Sequence, residues 1–506
     1  MSTSPAAPGA DSSPPAAAGP PAPAQVDRSP PPTRRGGAAP PSRDESRRRA
    51  RGLARPGLLL VGAAVVVSAL SLLVPWSLAF DPQAWVVWGR DTGRLALDTR
   101  AGPSWKPLPV LVTTPLAVTG DAAPALWMIV ARTGGLLALA GAATLAWRIA
   151  GPVAAAAAGA FMAVSPWWAY NGVLGNSEGL LVAALLWAVV AHLDGRPRVA
   201  LALATAGAML RPEVWPLLVA YGIWLWRTDP GARRRLVAAG LAVPVLWLGP
   251  DLIGIGGAVR ASSAARGEPS PGSAGLEDIP GLAVLADAVW ILTWPAAIAA
   301  VAGAVTGPPA VRLLGAAAAG WTALVAVMAQ VGYAGNPRYL VAAAGVGCVL
   351  AGVGAGRAGA AVAGRVGGAG RRAVPAGVAA LVVMSAGLVA LPELRDRADE
   401  VALRAERWDT LDDAVAAAGG RDALVRCSRV RTAADVRPLI AWELDLPMLD
   451  LDMPPTKPAL VIRYSSHFTG RWNPIRDPAA EGYRPLGRAP GWDVWAACGR
   501  APQIQG

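Results

Sequence analysis

The chain has 506 residues, 54% hydrophobic and 16% charged, with a mean hydropathy of +0.39. A soluble enzyme carries about 25% charged residues, so this composition excludes one and describes a protein that lives largely in lipid. The formal charge is +12, yet lysine occurs only at Lys106 and Lys457; the excess is an arginine-rich bias in an alanine-rich chain, not a nucleic-acid footprint. Two histidines, His192 and His467, and three scattered cysteines exclude a zinc site of the usual all-Cys/His kinds.

Residues 1–56 hold 13 Pro, 9 Arg and 4 acids and no periodic apolar run. Such a segment cannot bury enough surface to offset chain entropy, and a disordered tail is expected. It ends in Arg47-Arg48-Arg49-Ala50-Arg51 and Arg55, directly before an apolar stretch at 57–79 long enough to cross a hydrocarbon core of about 30 Å. A cleaved signal peptide competes for this stretch, but Ser77-Leu78-Ala79-Phe80 is a poor cleavage site, so a retained first span is expected.

Ten further apolar stretches follow, at 122–147, 152–168, 178–193, 198–210, 212–226, 235–250, 281–305, 309–330, 338–356 and 374–392. The expected fold is therefore a polytopic α-helical membrane protein of about eleven spans over 57–392. With the tail in the cytoplasm, alternation puts most of the body's arginines inside, joined by only two acids, Asp194 and Asp229. The other acids gather on the outer face. Residues 393–506 then lie outside the cell and read as a small α/β domain, with strands at 423–425, 459–462 and 494–497 and helices at 410–418 and 434–444. Cys427 and Cys498 fall at the ends of two of these strands and in an oxidising compartment are expected to pair. Cys348, inside a span, reads as packing.

The outer loops carry most of the polar chemistry. After the first span comes Phe80-Asp81-Pro82-Gln83-Ala84-Trp85-Val86-Val87-Trp88-Gly89-Arg90-Asp91, whose spacing predicts a helix lying in the headgroup layer with Trp85 and Trp88 on one face. Asp81 has two readings. It can cap this helix, with Pro82 at the first helical position, or it can accept a proton at the water–lipid boundary.

This segment, followed by Gly102-Pro103-Ser104-Trp105-Lys106-Pro107-Leu108-Pro109, then Glu178 after an outer loop, Leu210-Arg211-Pro212-Glu213 between two spans, and Gly335-Asn336-Pro337-Arg338-Tyr339 before a late span, resembles the C-type (GT-C) integral membrane glycosyltransferases of the bacterial mannosyltransferase-like kind. The resemblance covers about 57–392, in pattern and order. It implies inverting transfer of a sugar from a polyprenyl phosphate donor to a glycan, glycolipid or protein acceptor of the cell envelope, on the outer face of the bilayer. It also implies that Asp81 is the catalytic carboxylate, with Asp91 as a second candidate, and it leaves a divalent metal open. Lys106, Arg211 and Arg338 are the cations suited to the leaving phosphate, although each can instead snorkel at a span end.

Glu178 reads first as a helix-dipole acid. With Glu213, Tyr339 and Arg132 it completes the polar candidates; Arg132 and Asp287 lie inside spans, where an unpaired charge is costly. A transporter or flippase of a lipid-linked sugar is the alternative function. It is disfavoured because no matching halves are visible and the acids gather at one face.

Overall fold

Long apolar helices account for most of the chain in a computed structural model that describes residues 43–255, 272–366, 369–427, 429–451, 460–464 and 478–498. Gly57–Gly506 is one compact unit and Met1–Pro56 another. The tail expected to be disordered lies outside the described residues up to 42; helix α1, Arg43–Leu70, begins at its end.

In chain order α1 is followed by α2 (Phe80–Gly93), α3 (Pro107–Leu116), α4 (Ala123–Val164), α5 (Pro166–Val173), α6 (Glu178–Leu193), α7 (Pro197–Ala208) and α8 (Trp215–Thr228). Then come α9 (Arg233–Ile255), α10 (Pro280–Leu292), α11 (Trp294–Thr306), α12 (Pro309–Gln330), α13 (Val341–Arg365) and α14 (Val374–Ala417). Most open with proline in the first turn, where its missing N–H costs nothing. The stretch expected at 122–147 and most of that expected at 152–168 are two arms of α4, kinked at Gly151, whose φ of 83° precedes Pro152; the last residues, from Pro166, belong to α5.

Among the described residues five helices are long and apolar enough to cross a membrane, and up to seven if each of two bent pairs is one span. The bent pairs are α5 with α6, at 114°, and α10 with α11, at 96°. The single span expected at 281–305 is thus broken at Thr293, which has φ 66°. Helices α7 and α8 have 12 and 14 residues and rise only about 18 and 21 Å, less than a full hydrocarbon core. Length therefore does not carry the count of eleven.

Helix α13 is central. Its apolar window is 83% buried, against 11% for Pro56–Leu73. It packs on α4 and α11 through glycine: a Cβ on Gly352 would strike the backbone of Ala154, and one on Gly354 that of Ala299. Close backbone approach of this kind replaces the hydrophobic drive that lipid cannot supply.

The region after 392 departs from expectation in its connection. Helix α14 runs through the expected boundary without a break, so a rigid helix joins the C-terminal region to the membrane body. A four-stranded sheet of order β1-β2-β4-β3 packs on it, with β1 (Val430–Arg431) parallel to β2 (Leu460–Tyr464), and β2, β4 (Trp492–Ala496) and β3 (Arg484–Ala489) antiparallel. Residues 423–425, expected as a strand, belong instead to a short helix α15, Arg421–Val425. Three apolar residues carry no period that separates the two. Helix α16, Arg437–Glu443, fills the stretch expected at 434–444. Cys427, which follows α15 and not a strand, and Cys498 are bonded, with Cα atoms 5.8 Å apart; Cys348 is buried and free.

Candidate active site

Four short sequence devices hold the site. Gly335 takes φ 62°, a conformation open to glycine; the Asn336 side chain then accepts from the Arg338 backbone N–H at 3.0 Å, and Pro337 opens a helical turn. This fixes Arg338 and Tyr339 at the start of α13. Arg211 is extended, as a residue before proline must be, and the turn Pro212–Val214 presents Glu213 beside it. Lys106 is likewise extended before Pro107. The sharp bend between α5 and α6 leaves Glu178 as the first residue of α6.

These devices bring six charged groups together. The Arg338 guanidinium donates to Asp81 Oδ2 at 2.8 Å. Arg211 Nη2 donates to Glu178 Oε1 at 2.5 Å and its Nη1 lies 3.5 Å from Glu213. Lys106 Nζ lies 3.9 Å from Glu178 and donates to Ser177 Oγ at 3.3 Å. Aromatic rings wall the group: Arg211 sits 4.6 Å and Arg338 6.0 Å from the Tyr339 ring centroid, and Lys106 5.0 Å from that of Trp85. Every charged residue but Arg338 is buried; the Arg338 side chain is 23% exposed.

Three carboxylates against three cations make the cluster formally neutral, and each cation already has a carboxylate. Burying charges this way is tolerable only when they are paired and hydrogen-bonded. Some capacity is left over: Nε of Arg211 and Arg338 and the Trp85 indole N–H have no acceptor, and Glu178 Oε2 and Glu213 Oε2 have no donor, among the described residues. A polar ligand with its own donors and acceptors fits such a set.

Asp81, Lys106, Glu178, Arg211, Glu213, Arg338 and Tyr339 are thus brought to one place. Asp81 is not the cap of α2: that position is Ala79, with no side-chain cap bond, and Asp81 lies in the first turn. Glu178 does more than face a helix dipole, since it bridges two cations. Asp91 is not brought to the cluster; at the other end of α2 it pairs with Arg90, Nε to Oδ1 at 3.1 Å. Arg132 is also elsewhere, donating to the Ser71 carbonyl and hydroxyl and to the Val173 carbonyl, and it does not meet Asp287. Trp85 and Trp88, expected in the headgroup layer, are fully buried. They pack on Trp127 and Trp105, and α2 as a whole packs against both α3 and α16. Sequence reasoning passed over Ser177 and Trp85 as partners of Lys106; Trp85 stands in the segment after the first span and Ser177 directly before Glu178, but only the fold joins them to Lys106. No group of three or more His, Cys, Asp or Glu among the described residues is arranged to hold a metal ion.

A separate apolar cavity of about 260 Å³ lies among α10, α11, α12 and α13, lined by Leu292, Ala300, Gly315, Leu340 and Gly347 among others. No residue of the charged cluster lines it, but Leu340 follows Tyr339 directly.

The helical arrangement is one already seen in solved structures. Two solved structures of ArnT from Cupriavidus metallidurans match over 88% of this chain. The one bound to undecaprenyl phosphate matches over 99% of its own length, with 14% identity and a TM-score of 0.55. The apo structure matches over 98% of its length, with 15% identity and a TM-score of 0.52. At these identities the likeness is one of fold. No protein-family model and no curated protein matches the sequence.

Proposed function

We propose that the protein is an inverting glycosyltransferase that moves a sugar from a polyprenyl phosphate to a cell-envelope acceptor at the outer face of the membrane. The observation that carries this reading is the convergence of Asp81, Lys106, Arg211 and Arg338 in a neutral, largely buried cluster, within a fold shared with a protein solved with undecaprenyl phosphate bound.

In the reaction, the acceptor hydroxyl oxygen forms a bond to the anomeric carbon while the bond from that carbon to the phosphate oxygen breaks. Asp81 takes the hydroxyl proton, and polyprenyl phosphate leaves with the bonding pair, its charge held by Arg338, Lys106 and Arg211. Because Asp81 and Arg338 hold each other at 2.8 Å, the arriving phosphate competes with Asp81 for the guanidinium. Binding of donor then frees the carboxylate for the proton. The apolar cavity beginning at Leu340 suits the first isoprene units of a chain whose phosphate rests at Arg338.

Purified protein given a panel of radiolabelled polyprenyl phosphate sugars and a membrane acceptor fraction tests the reading. Label transferred from at least one donor, and lost in Asp81→Asn, supports it; no transfer from any donor, with movement of a lipid-linked sugar across vesicles instead, would favour a flippase. A reporter-fusion scan that finds residues 393–506 in the cytoplasm would overturn the orientation.

A further inference from the structure

Helix α2 carries Asp81 in its first turn and Arg90 in its last, nine residues on and about 13 Å along the axis. Arg90 is 6% exposed, yet its Nη groups donate away from the charged cluster, into the C-terminal region. Nη1 donates to the Ala441 carbonyl at 3.1 Å and Nη2 to the Leu446 carbonyl at 2.8 Å. Nη1 also lies 2.9 Å from Asp445 Oδ1, and the guanidinium 5.8 Å from the Trp442 ring centroid. With Nε on Asp91, the guanidinium is occupied on every edge.

The loop that receives it is shaped for the purpose. Asp445 ends α16 at φ 54°, a place usually given to glycine or asparagine. The carboxylate kept there gathers Arg90, Arg94 at 2.6 Å and Arg421 at 2.5 Å. Helix α2 is also seated on α3: Gly89 lies where a Cβ would strike Thr113, and Thr113 Oγ1 donates to the Trp85 carbonyl at 2.7 Å. Of the six charged residues in the cluster, Asp81 alone rides on a helix gripped this way. Among the described residues, none of the hydrogen bonds or ion pairs of Lys106, Glu178, Arg211, Glu213 or Arg338 reaches beyond 392.

We propose that Arg90 is a positioning residue: by closing the 441–446 loop around its guanidinium, the C-terminal region sets where α2 presents the Asp81 carboxylate to an acceptor hydroxyl. The inference rests on the transferase reading of Asp81 and gives the C-terminal region a part in turnover. The phosphate-holding cations sit on other elements, so loosening this grip moves the base and leaves the donor site in place. That is a separation a purely structural role does not produce, and a misplacement of the base by an ångström is enough to cost turnover heavily.

The test uses the full-length protein in lipid nanodiscs, as wild type, Arg90→Gln, Arg90→Lys and Asp445→Asn. Asparagine tolerates the left-handed conformation, so Asp445→Asn removes the gathering charge with little backbone strain and guards against an Arg90 variant that does not fold. Turnover, affinity for undecaprenyl phosphate and hydrogen exchange of the 80–85 amides are measured on each. The expected result is turnover down at least tenfold in Arg90→Gln, less in Arg90→Lys and Asp445→Asn, with undecaprenyl phosphate affinity no weaker than wild type and faster exchange at 80–85. Unchanged turnover and exchange would overturn the inference, as would turnover and affinity falling together. A wild type that transfers nothing would overturn the transferase reading instead, and the exchange data would still decide whether Arg90 holds α2.

Discussion

Arg338 reaches Asp81 at 2.8 Å from the far side of the sequence, and this contact joins the proposed base to the proposed phosphate holder. Arg338→Ala is expected to weaken donor binding by about 1.5–3 kcal/mol, the worth of one charge-assisted hydrogen bond, which is roughly 10- to 150-fold in Kd. Titration of undecaprenyl phosphate into wild type and variant checks this; equal affinities would leave Arg338 only its bond to Asp81.

Arg211 has a second duty. Glu178 is 1% exposed, and without Arg211 its nearest cation is Lys106 at 3.9 Å. Breaking a buried pair by removing one partner costs about 3–5 kcal/mol, so Arg211→Ala is expected to lower the Tm well before donor binding is considered. The double variant with Glu178→Gln should recover much of that loss, because the stranded charge is gone. Thermal melts of wild type, Arg211→Ala, Glu178→Gln and the double variant in one detergent would show whether the two effects couple or simply add.

The C-terminal region is expected to loosen as pH rises. Burial, reinforced by the neighbouring Asp412 carboxyl, pushes Glu443 on α16 up to about 8, with Arg421 opposing. The folded state therefore keeps a proton that an unfolded chain releases near pH 4.5. Stability from this group is full below that value and is lost as pH climbs through about 8. Melts from pH 5 to 9 should fall more steeply in wild type than in Glu443→Gln; parallel curves would remove Glu443 as the source.

Much of the cluster was legible in the sequence because proline and glycine mark the places where polar groups sit at span ends: Lys106 before Pro107, Arg211 before Pro212, Arg338 after Asn336-Pro337. What could not be read was pairing. Nothing local says that Glu178 bridges Lys106 and Arg211, or that Asp91 is absorbed by Arg90 while Asp81 is not. The burial of Trp85 and Trp88 was hidden because the rings that pack on them, Trp127 and Trp105, lie outside α2 and have no local link to it in the sequence. The unbroken course of α14 left a signal that went unused. Glu393 and Arg397, then Glu400 and Arg404, pair at i,i+4, the spacing of one helical face, straight across the boundary drawn at 392.

The central claim is that Asp81 takes the acceptor's proton, and Asp81→Asn tests it most directly. Asparagine matches the shape of aspartate and keeps an oxygen for Arg338, but it cannot take up a proton at neutral pH. Turnover with the active polyprenyl phosphate sugar, measured beside undecaprenyl phosphate affinity and Tm, should fall on the order of 10²–10⁴-fold, the worth of a positioned acid or base, while Tm holds and affinity is at least that of wild type, since a neutral amide competes less for Arg338. Turnover within a few-fold of wild type would contradict the account and return Asp81 to a purely structural partnership with Arg338.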